Sequence, residues 1–365
     1  MNIVELIPQL SSGGAERFVV DLANELSKQH IVYLVVGYPL DKNSSFYLSD
    51  LSDKVKVCSL NKKEGLDFGY QWRLYKLLRC LSPDIIHTHV EAFMHVALLK
   101  WILPEFCFVH TVHSDAIYES GGRTKAFFKK WFFRKKWCKA VTISDASNKS
   151  FKEFYRAPSA LIYNGRAPFV PPLNLNNTLI PEKEGGYNFV SIGHLSPTKN
   201  HMLMCQAISN LVMGGAPIDL YMFGRVASTE IADKIKSLDC PNIHLLGEIS
   251  NPRLYLDHAD VFCMSSIIEG MPISLIEALS CGLIPICTPV GGIVDMVEDG
   301  NNGLLSKDLT LESYTTAIQR FLKLSDEERR QMKKNAFKSS QRYTIAYCAS
   351  QYINVFNSNK NVSTR

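Results

Sequence analysis

Short β-rich runs alternate with longer segments of helical period along most of the chain, and the alternation stops once and then restarts. The first series of extended runs is "NIVELI", "IVYLVVG", "VKVCSL", "DIIHTH", "FCFVHTVH", "AVTIS" and "ALIYN". Between them stand segments such as "GAERFVVDLANELSKQ", where Phe18, Leu22 and Leu26, with Val19 and Ala23, form an apolar stripe at helical spacing. Strands separated by helices are joined by crossovers, which gives parallel sheets. The interval "APFVPPLNLNNTLIPEKEGG", rich in Pro, Asn and Gly, has no sustained period. Alternation then resumes with "YNFVSIG", "IDLYMFG", "NIHLLG", "DVFCMSS" and "LIPICT". The pattern predicts an α/β fold of two Rossmann-like, doubly wound parallel-sheet domains. These are placed at residues 1–168 and 187–341, with a linker at 169–186 and a closing helix over 342–357 that can return to the first domain. A ligand is expected in a cleft at the C-terminal ends of the strands.

The chain has 365 residues, too many for one ordinary core, and its 46% hydrophobic and 21% charged residues exclude disorder. None of the ten cysteines forms a C-x-x-C pair, and several fall in apolar runs. This predicts a reducing compartment without disulfides or structural zinc. "MNIVELIPQL" lacks the basic start of a secretory signal. The longest apolar stretch, "AFMHVALLKWILPEFCFVH", is broken by Lys100, Pro104 and Glu105, so no bilayer span is expected. Residues 1–170 hold 23 Lys and Arg against 16 Asp and Glu, and the remainder 17 against 19. Such a split suits a first half that faces something anionic.

"EGMPISLIE", residues 269–277, sets a glutamate at each end of a mostly apolar run. On one helix, eight residues turn roughly 80° past two full turns, so the two acids would not share a face. By spacing alone the pair can be an accident of composition. The context points elsewhere: "ADVFCMSS" is a strand, Pro272 suits a first helical turn, and Gly282 can close the helix after Cys281. Glu269 then lies on the loop before a helix N-terminus and Glu277 within the helix. The free N–H groups near Gly270, Met271, Pro272, Ile273 and Ser274 surround an anion site suited to phosphate. Proline itself contributes no N–H.

"EGMPISLIEALSCGLIPICTPVGGIVDMVEDGNNGLL" resembles the signature of the family 4 retaining glycosyltransferases, of the two-domain GT-B architecture, as found in bacterial surface-polysaccharide synthesis. The likeness extends to "GGAERFVVDLANEL", "PDIIHTH", "IYNG" and "GHLSPTKN", in that order. It implies that Glu269 contacts hydroxyls of the donor sugar and Glu277 the ribose. It implies that Gly13 and Gly14 bring bare backbone close to the donor and that Lys199 binds its diphosphate. His113 matches a histidine near the reacting sugar and acceptor. The chain departs from the pattern at His194, where arginine is usual; a largely neutral histidine cannot make the fork contact. Arg225, in "MFGR", either supplies that charge or is an exposed loop arginine. Arg166, Ala167 and Asp295 also differ from the usual residues.

His87 and His89 alternate onto one strand face, and His95 and His110 are near in sequence. Acid and cysteine partners are not close in sequence and no D-x-D occurs, so no metal or cofactor is expected. "RTKAFFKKWFFRKKWCK", 123–139, carries eight Lys and Arg and six aromatics. As a helix it has two apolar arcs, one of which would be left outside, and Lys129, Lys130, Phe133, Lys136 and Trp137 are placed on an anionic membrane surface. A packed helix with a solvated basic rim is the alternative, and no recognition motif supports nucleic acid.

The sequence therefore predicts a retaining transfer of sugar from a nucleoside diphosphate sugar to a hydroxyl of a lipid-linked cell-surface glycan. The resemblance implies a cytoplasmic enzyme held peripherally at the inner face of the membrane. A sugar-nucleotide epimerase or hydrolase, or a non-catalytic sugar-nucleotide-binding protein, are the rivals. "SSGGAE" is not G-x-G-x-x-G, which disfavours a dinucleotide oxidoreductase.

Overall fold

The computed structural model describes residues 1–41, 45–65, 67–168, 180–181 and 185–363, with side chains to 358. The predicted linker lies mostly outside the described residues. The chain divides into unit 1, Met1–Ala167 with Tyr343–Arg365, and unit 2, Pro168–Arg342.

Unit 1 is built on seven parallel strands: β1 (Asn2–Ile7), β2 (Ile31–Val36), β3 (Val55–Ser59), β4 (Ile85–His89), β5 (Cys107–Val112), β6 (Lys139–Thr142) and β7 (Ser159–Leu161). Their order is β3-β2-β1-β4-β5-β6-β7. The chain winds outward from β1 to β3, then crosses to β4 and winds the other way. The order therefore reverses between β1 and β4, which is where a ligand crevice forms in such sheets. The helices are α1 (Gly14–Leu26), α2 (Phe68–Leu81), α3 (Phe93–Leu99), α4 (Arg123–Arg134) and α5 (Asp145–Tyr155). The predicted stripe of α1 is its buried face: Phe18, Val19, Leu22, Ala23 and Leu26 are all at most 3% exposed. Strands β4 and β5 are buried throughout, yet they carry His87, Thr88, His89, His110 and Thr111. Buried polar groups require partners, so this strand end is a network rather than plain core.

Helix α4 corrects the expected membrane face. Phe133 is buried and packs edge-on against Phe151 and Tyr155, with ring centroids 4.9 and 5.1 Å away. Lys129 is buried too: its Nζ donates to the Glu119 carbonyl at 2.8 Å. Trp137 is off the helix, because the chain turns through Lys136 in a left-handed conformation, φ 57°. There it packs among Trp101, Trp131 and Phe132. The outward aromatics are Phe127 and Phe128, 69% and 47% exposed. The buried face takes Phe132 from one of the two apolar arcs and Phe133 from the other, and both rings meet Phe93 of α3.

Unit 2 holds β8 (Tyr187–Ile192), β9 (Ile218–Phe223), β10 (Ile243–Gly247), β11 (Val261–Met264), β12 (Ile284–Cys287) and β13 (Leu304–Leu305), all parallel, in the order β10-β9-β8-β11-β12-β13. At two residues β13 is too short to give a period, and the sequence did not show it. Its helices are α6 (His201–Met213), α7 (Thr229–Lys236), α8 (Arg253–Leu256), α9 (Ile273–Ser280), α10 (Ile293–Met296), α11 (Leu311–Lys323) and α12 (Asp326–Ser340). The core gathers Ile208, Leu220, Ile286, Tyr314 and Phe321. Cys205, Cys263 and Cys287 are buried as small hydrophobes, and burial pushes the first two thiols up to about 12.

The last helix, α13 (Ile345–Ser363), belongs to unit 1. It starts three residues later than the predicted segment because Arg166 N donates to Tyr343 O at 2.9 Å, in a parallel bridge to Thr344. Tyr352 and Phe356 are fully buried, and the Tyr352 ring lies 5.0 Å from His87 and 6.0 Å from Phe18.

Candidate active site

In unit 2 the strand order reverses between β8 and β11, so the loops that leave these neighbouring strands meet. Ile267 N donates to Thr198 O at 2.8 Å, and Ser265 Oγ to Asn200 O at 2.9 Å. Lys199 ends the first loop and Glu269 lies in the second. Lys199 Nζ is 2.5 Å from Glu269 Oε1, and Ser266 Oγ donates to the same oxygen at 2.6 Å. Ser266 is positioned in turn by Thr288, whose hydroxyl donates to its carbonyl at 2.7 Å. The Glu269 side chain is only 9% exposed, against 27% for Lys199.

A third loop clamps this carboxylate's backbone. Gly292 N donates to Gly270 O at 2.7 Å. Gly291 has φ +54°, and a Cβ there would stand 1.8 Å from the Glu269 carbonyl oxygen. Only glycine allows that approach.

Helix α9 follows at once. Pro272 is its N-cap, extended at φ −71° and ψ 123°, one position before the first turn where the sequence placed it. The N–H groups of Ile273, Ser274 and Leu275 precede the first intrahelical bond, which Ile276 N makes to Pro272 O. Met271 and Ile273 are buried and Ser274 half-buried. Glu277, 5% exposed, lies three and four residues beyond Ser274 and Ile273, on the same helix face as the N-terminal turn. The helix closes through Cys281 into Gly282 at φ +73°. His194 is half-buried in the loop after β8, and Arg225 is exposed after β9. Leu195 N donates to Arg225 O at 2.9 Å, which ties these two loops together.

In unit 1 the candidates sit at C-terminal strand ends. Gly13 caps α1 without a side-chain bond and Gly14 begins it. The space beside Gly13 is taken by the Glu16 carboxylate, which Ser11 Oγ holds at 2.8 Å. His113 follows β5 directly. Its backbone N donates to Glu119 Oε2 at 2.7 Å, and its Nε2 lies 2.9 Å from His89 Nδ1. His89 Nε2 lies 2.7 Å from Glu5 Oε2. Burial, then the neighbouring His89, holds the His113 ring well below its usual range. Burial and His87 lower His89 to about 3. Burial alone would raise Glu5, but His87 and His89 bring it down to about 2. Glu119 goes the other way: burial raises it to about 7 against Lys129 and two backbone N–H groups.

The sequence missed Glu5, because it reaches His87 only through the β1–β4 register. Glu5, His87 and His89 offer three buried ligand atoms within 4.8 Å of one another, the one such group found among the described residues. Arg166 is engaged elsewhere: its Nη1 is 2.7 Å from Asp21 Oδ2, and Arg17 is 2.5 Å from the other Asp21 oxygen.

Two family models match in tandem: glycosyltransferase family 4 over residues 12–167, and glycosyl transferases group 1 over residues 179–339. The chain belongs to the family 4 glycosyltransferases. This glycosyltransferase is 26% identical over 380 residues, covering 99% of both chains, to "GalNAc-alpha-(1->4)-GalNAc-alpha-(1->3)-diNAcBac-PP-undecaprenol alpha-1,4-N-acetyl-D-galactosaminyltransferase" of Campylobacter jejuni. It is 24% identical to the O-antigen biosynthesis glycosyltransferase WbnH of Escherichia coli, over 96% of this chain and 98% of that one. The fold matches the crystal structure of Anabaena HepE in complex with UDP and glucose at TM-score 0.81 and 17% identity, over 98% of this chain and 100% of that one. The glycosyltransferase thus has the GT-B architecture, with one parallel-sheet unit for each half.

Proposed function

We propose that this glycosyltransferase moves a sugar, with retention of configuration, from a nucleoside diphosphate sugar to a hydroxyl of a lipid-linked glycan in surface-polysaccharide synthesis. The observation that carries the reading is the Lys199–Glu269–Ser266 constellation beside the α9 N-terminus, with Glu277 one turn further in. Lys199 and the free N–H groups of α9 are suited to the leaving diphosphate, where negative charge grows as the glycosidic bond breaks. Glu269 accepts hydrogen bonds from sugar hydroxyls and Glu277 from the ribose. Arg225 supplies cationic charge on the loop tied to that of His194. In this reading the leaving diphosphate takes the acceptor proton on the face from which it departs. The protein's work is then to hold the acceptor and stabilise separated charge, without a metal ion.

Relatives whose names specify diphospho-undecaprenol substrates support the acceptor class. Peripheral attachment to the inner face of the membrane is supported by α4. Phe127 and Phe128 are exposed beside Arg123 and Lys130, and Ile117 and Tyr118 are also exposed, at 62% and 60%. No helix among the described residues is long and apolar enough to cross a membrane.

The test is an assay of UDP- and GDP-sugars with and without an undecaprenyl diphosphate-linked acceptor. Acceptor-dependent product of retained anomeric configuration is expected. Nucleotide-sugar hydrolysis or epimerisation without transfer would overturn the reading.

A further inference from the structure

The geometry points to Glu5 and His89 as positioning residues that hold the His113 ring in its Nε2–H tautomer, leaving Nδ1 as a fixed hydrogen-bond acceptor for a substrate hydroxyl. This rests on the reading of His113 as a group at the reacting centre.

The proton positions are fixed outward from the carboxylate. Glu5 is fully buried, and an ionised carboxylate can only accept hydrogen bonds. His89 Nε2, 2.7 Å from Glu5 Oε2, must therefore carry a proton; a bare nitrogen there would set two lone pairs against each other in a dry site. His89 is also fully buried, which favours the neutral ring, so its Nδ1 is bare. His113 Nε2, 2.9 Å from that Nδ1, must then donate. Only Nδ1 of a neutral His113 remains as an acceptor.

A second branch points at the same oxygen. His87 Nδ1 lies 2.9 Å from Glu5 Oε2, off the line of a good hydrogen bond. His87 Nε2 is 2.7 Å from Thr111 Oγ1, which is 2.8 Å from the Tyr352 hydroxyl of α13. Tyr352 and Thr111 can thus donate in sequence to His87, whose ring stands beside Glu5 without a well-aligned hydrogen bond to it. Every member of this branch is fully buried, as are Glu5 and His89, so water does not compete for the protons. Such outer groups orient a working imidazole and remove the fraction of time it spends in the wrong tautomer.

The test is nitrogen-15 NMR of the histidine rings in the full chain. His113, identified by the signal lost in His113→Gln, is expected to show a protonated Nε2 and a bare Nδ1 between about pH 6 and 8. Glu5→Gln is expected to give a mixture of His113 tautomers. It should lower kcat roughly 10- to 100-fold, with donor KM changed less than about twofold. An Nδ1–H tautomer in the wild-type protein overturns the proposal even if Glu5→Gln fails to fold. So does an unchanged His113 spectrum in a folded Glu5→Gln protein. One equivalent of zinc in the purified protein, removed by Glu5→Gln, also overturns it, because the cluster is then a metal site. Full activity in His113→Gln would instead sink the role of His113 and leave the tautomer assignment standing.

Discussion

Lys199 Nζ and Glu269 Oε1 stand 2.5 Å apart, so the cation assigned to the diphosphate and the carboxylate assigned to the sugar neutralise each other within unit 2. On the proposed reading a bound donor divides this pair: the ammonium is expected to turn to the diphosphate and the carboxylate to the sugar hydroxyls, with Ser266 still holding it.

Removing either partner should therefore hurt in different ways. Glu269→Ala is expected to lower transfer by at least about 100-fold while the chain stays folded. Lys199→Ala should raise donor KM and lower kcat together, because it both loses a diphosphate contact and leaves Glu269 without its counter-ion. Glu277→Ala should mainly raise donor KM. Steady-state kinetics with circular dichroism as the folding control checks all three. Full activity in Glu269→Ala, or an unchanged KM in Glu277→Ala, would contradict the assigned roles.

Gly291 offers a test at a residue with no side chain. Its φ of +54° and the 1.8 Å approach of a Cβ to the Glu269 carbonyl mean that Gly291→Ala must displace the loop carrying Glu269. The expected cost is about 1–3 kcal/mol of stability together with a large loss of transfer. Gly282→Ala, at φ +73° but with its nearest neighbour 3.4 Å away, should cost about 1–2 kcal/mol and leave transfer near normal. Urea denaturation paired with the transfer assay separates the two. Equal activity in both variants would remove the clamp from the account.

The strands other than the two-residue β13 were legible because each is a compact β-rich run bounded by turn residues, and the α1 stripe was legible because its apolar residues recur at one period. The different heights of Glu269 and Glu277 followed from Pro272, which fixes where a helix can begin. What stayed hidden depended on contacts between distant segments. Glu5 and His89 are 84 residues apart and meet only through the β1–β4 pairing. The clamp of Gly291 on Glu269 is of the same kind. In α4 the periodicity gave two apolar arcs but could not say that Phe132 of one and Phe133 of the other would both face Phe93, nor that the left-handed turn at Lys136 would take Trp137 off the helix.

The burial of Phe133 and exposure of Phe127 and Phe128 change which residues a membrane experiment should target. Phe127→Ser with Phe128→Ser is expected to reduce sedimentation with phosphatidylglycerol vesicles several-fold, with little effect on the thermal midpoint. Phe133→Ala should instead destabilise the chain by about 3–5 kcal/mol, as truncation of a buried aromatic does. Vesicle binding unchanged in the double variant would mean that the exposed pair does not meet the bilayer.

Glu119 gives the chain a pH dependence opposite to that of Glu5. Its Oε2 accepts from the backbone N–H groups of His113 and Ser114 at 2.7 and 3.1 Å. Its Oε1 faces His110 Nε2 at 3.5 Å, and neither of those two atoms has a hydrogen bond. Burial raises the carboxyl from 4.5 to about 7, despite Lys129, whose Nζ bonds the Glu119 carbonyl. Below pH 4.5 the group is protonated whether the chain is folded or not, and stability is unaffected. Between 4.5 and 7 the folded chain holds the proton more tightly, so stability falls as pH rises, and above 7 the whole cost, about 3 kcal/mol at most, is in place. Glu119→Gln keeps an oxygen for the two N–H groups and has no proton to lose. Its urea-denaturation free energy should therefore fall less between pH 5 and 8 than that of the wild type, by roughly 2–3 kcal/mol. An identical fall in both proteins would mean that Lys129 and the two amides keep the carboxyl ionised throughout that range.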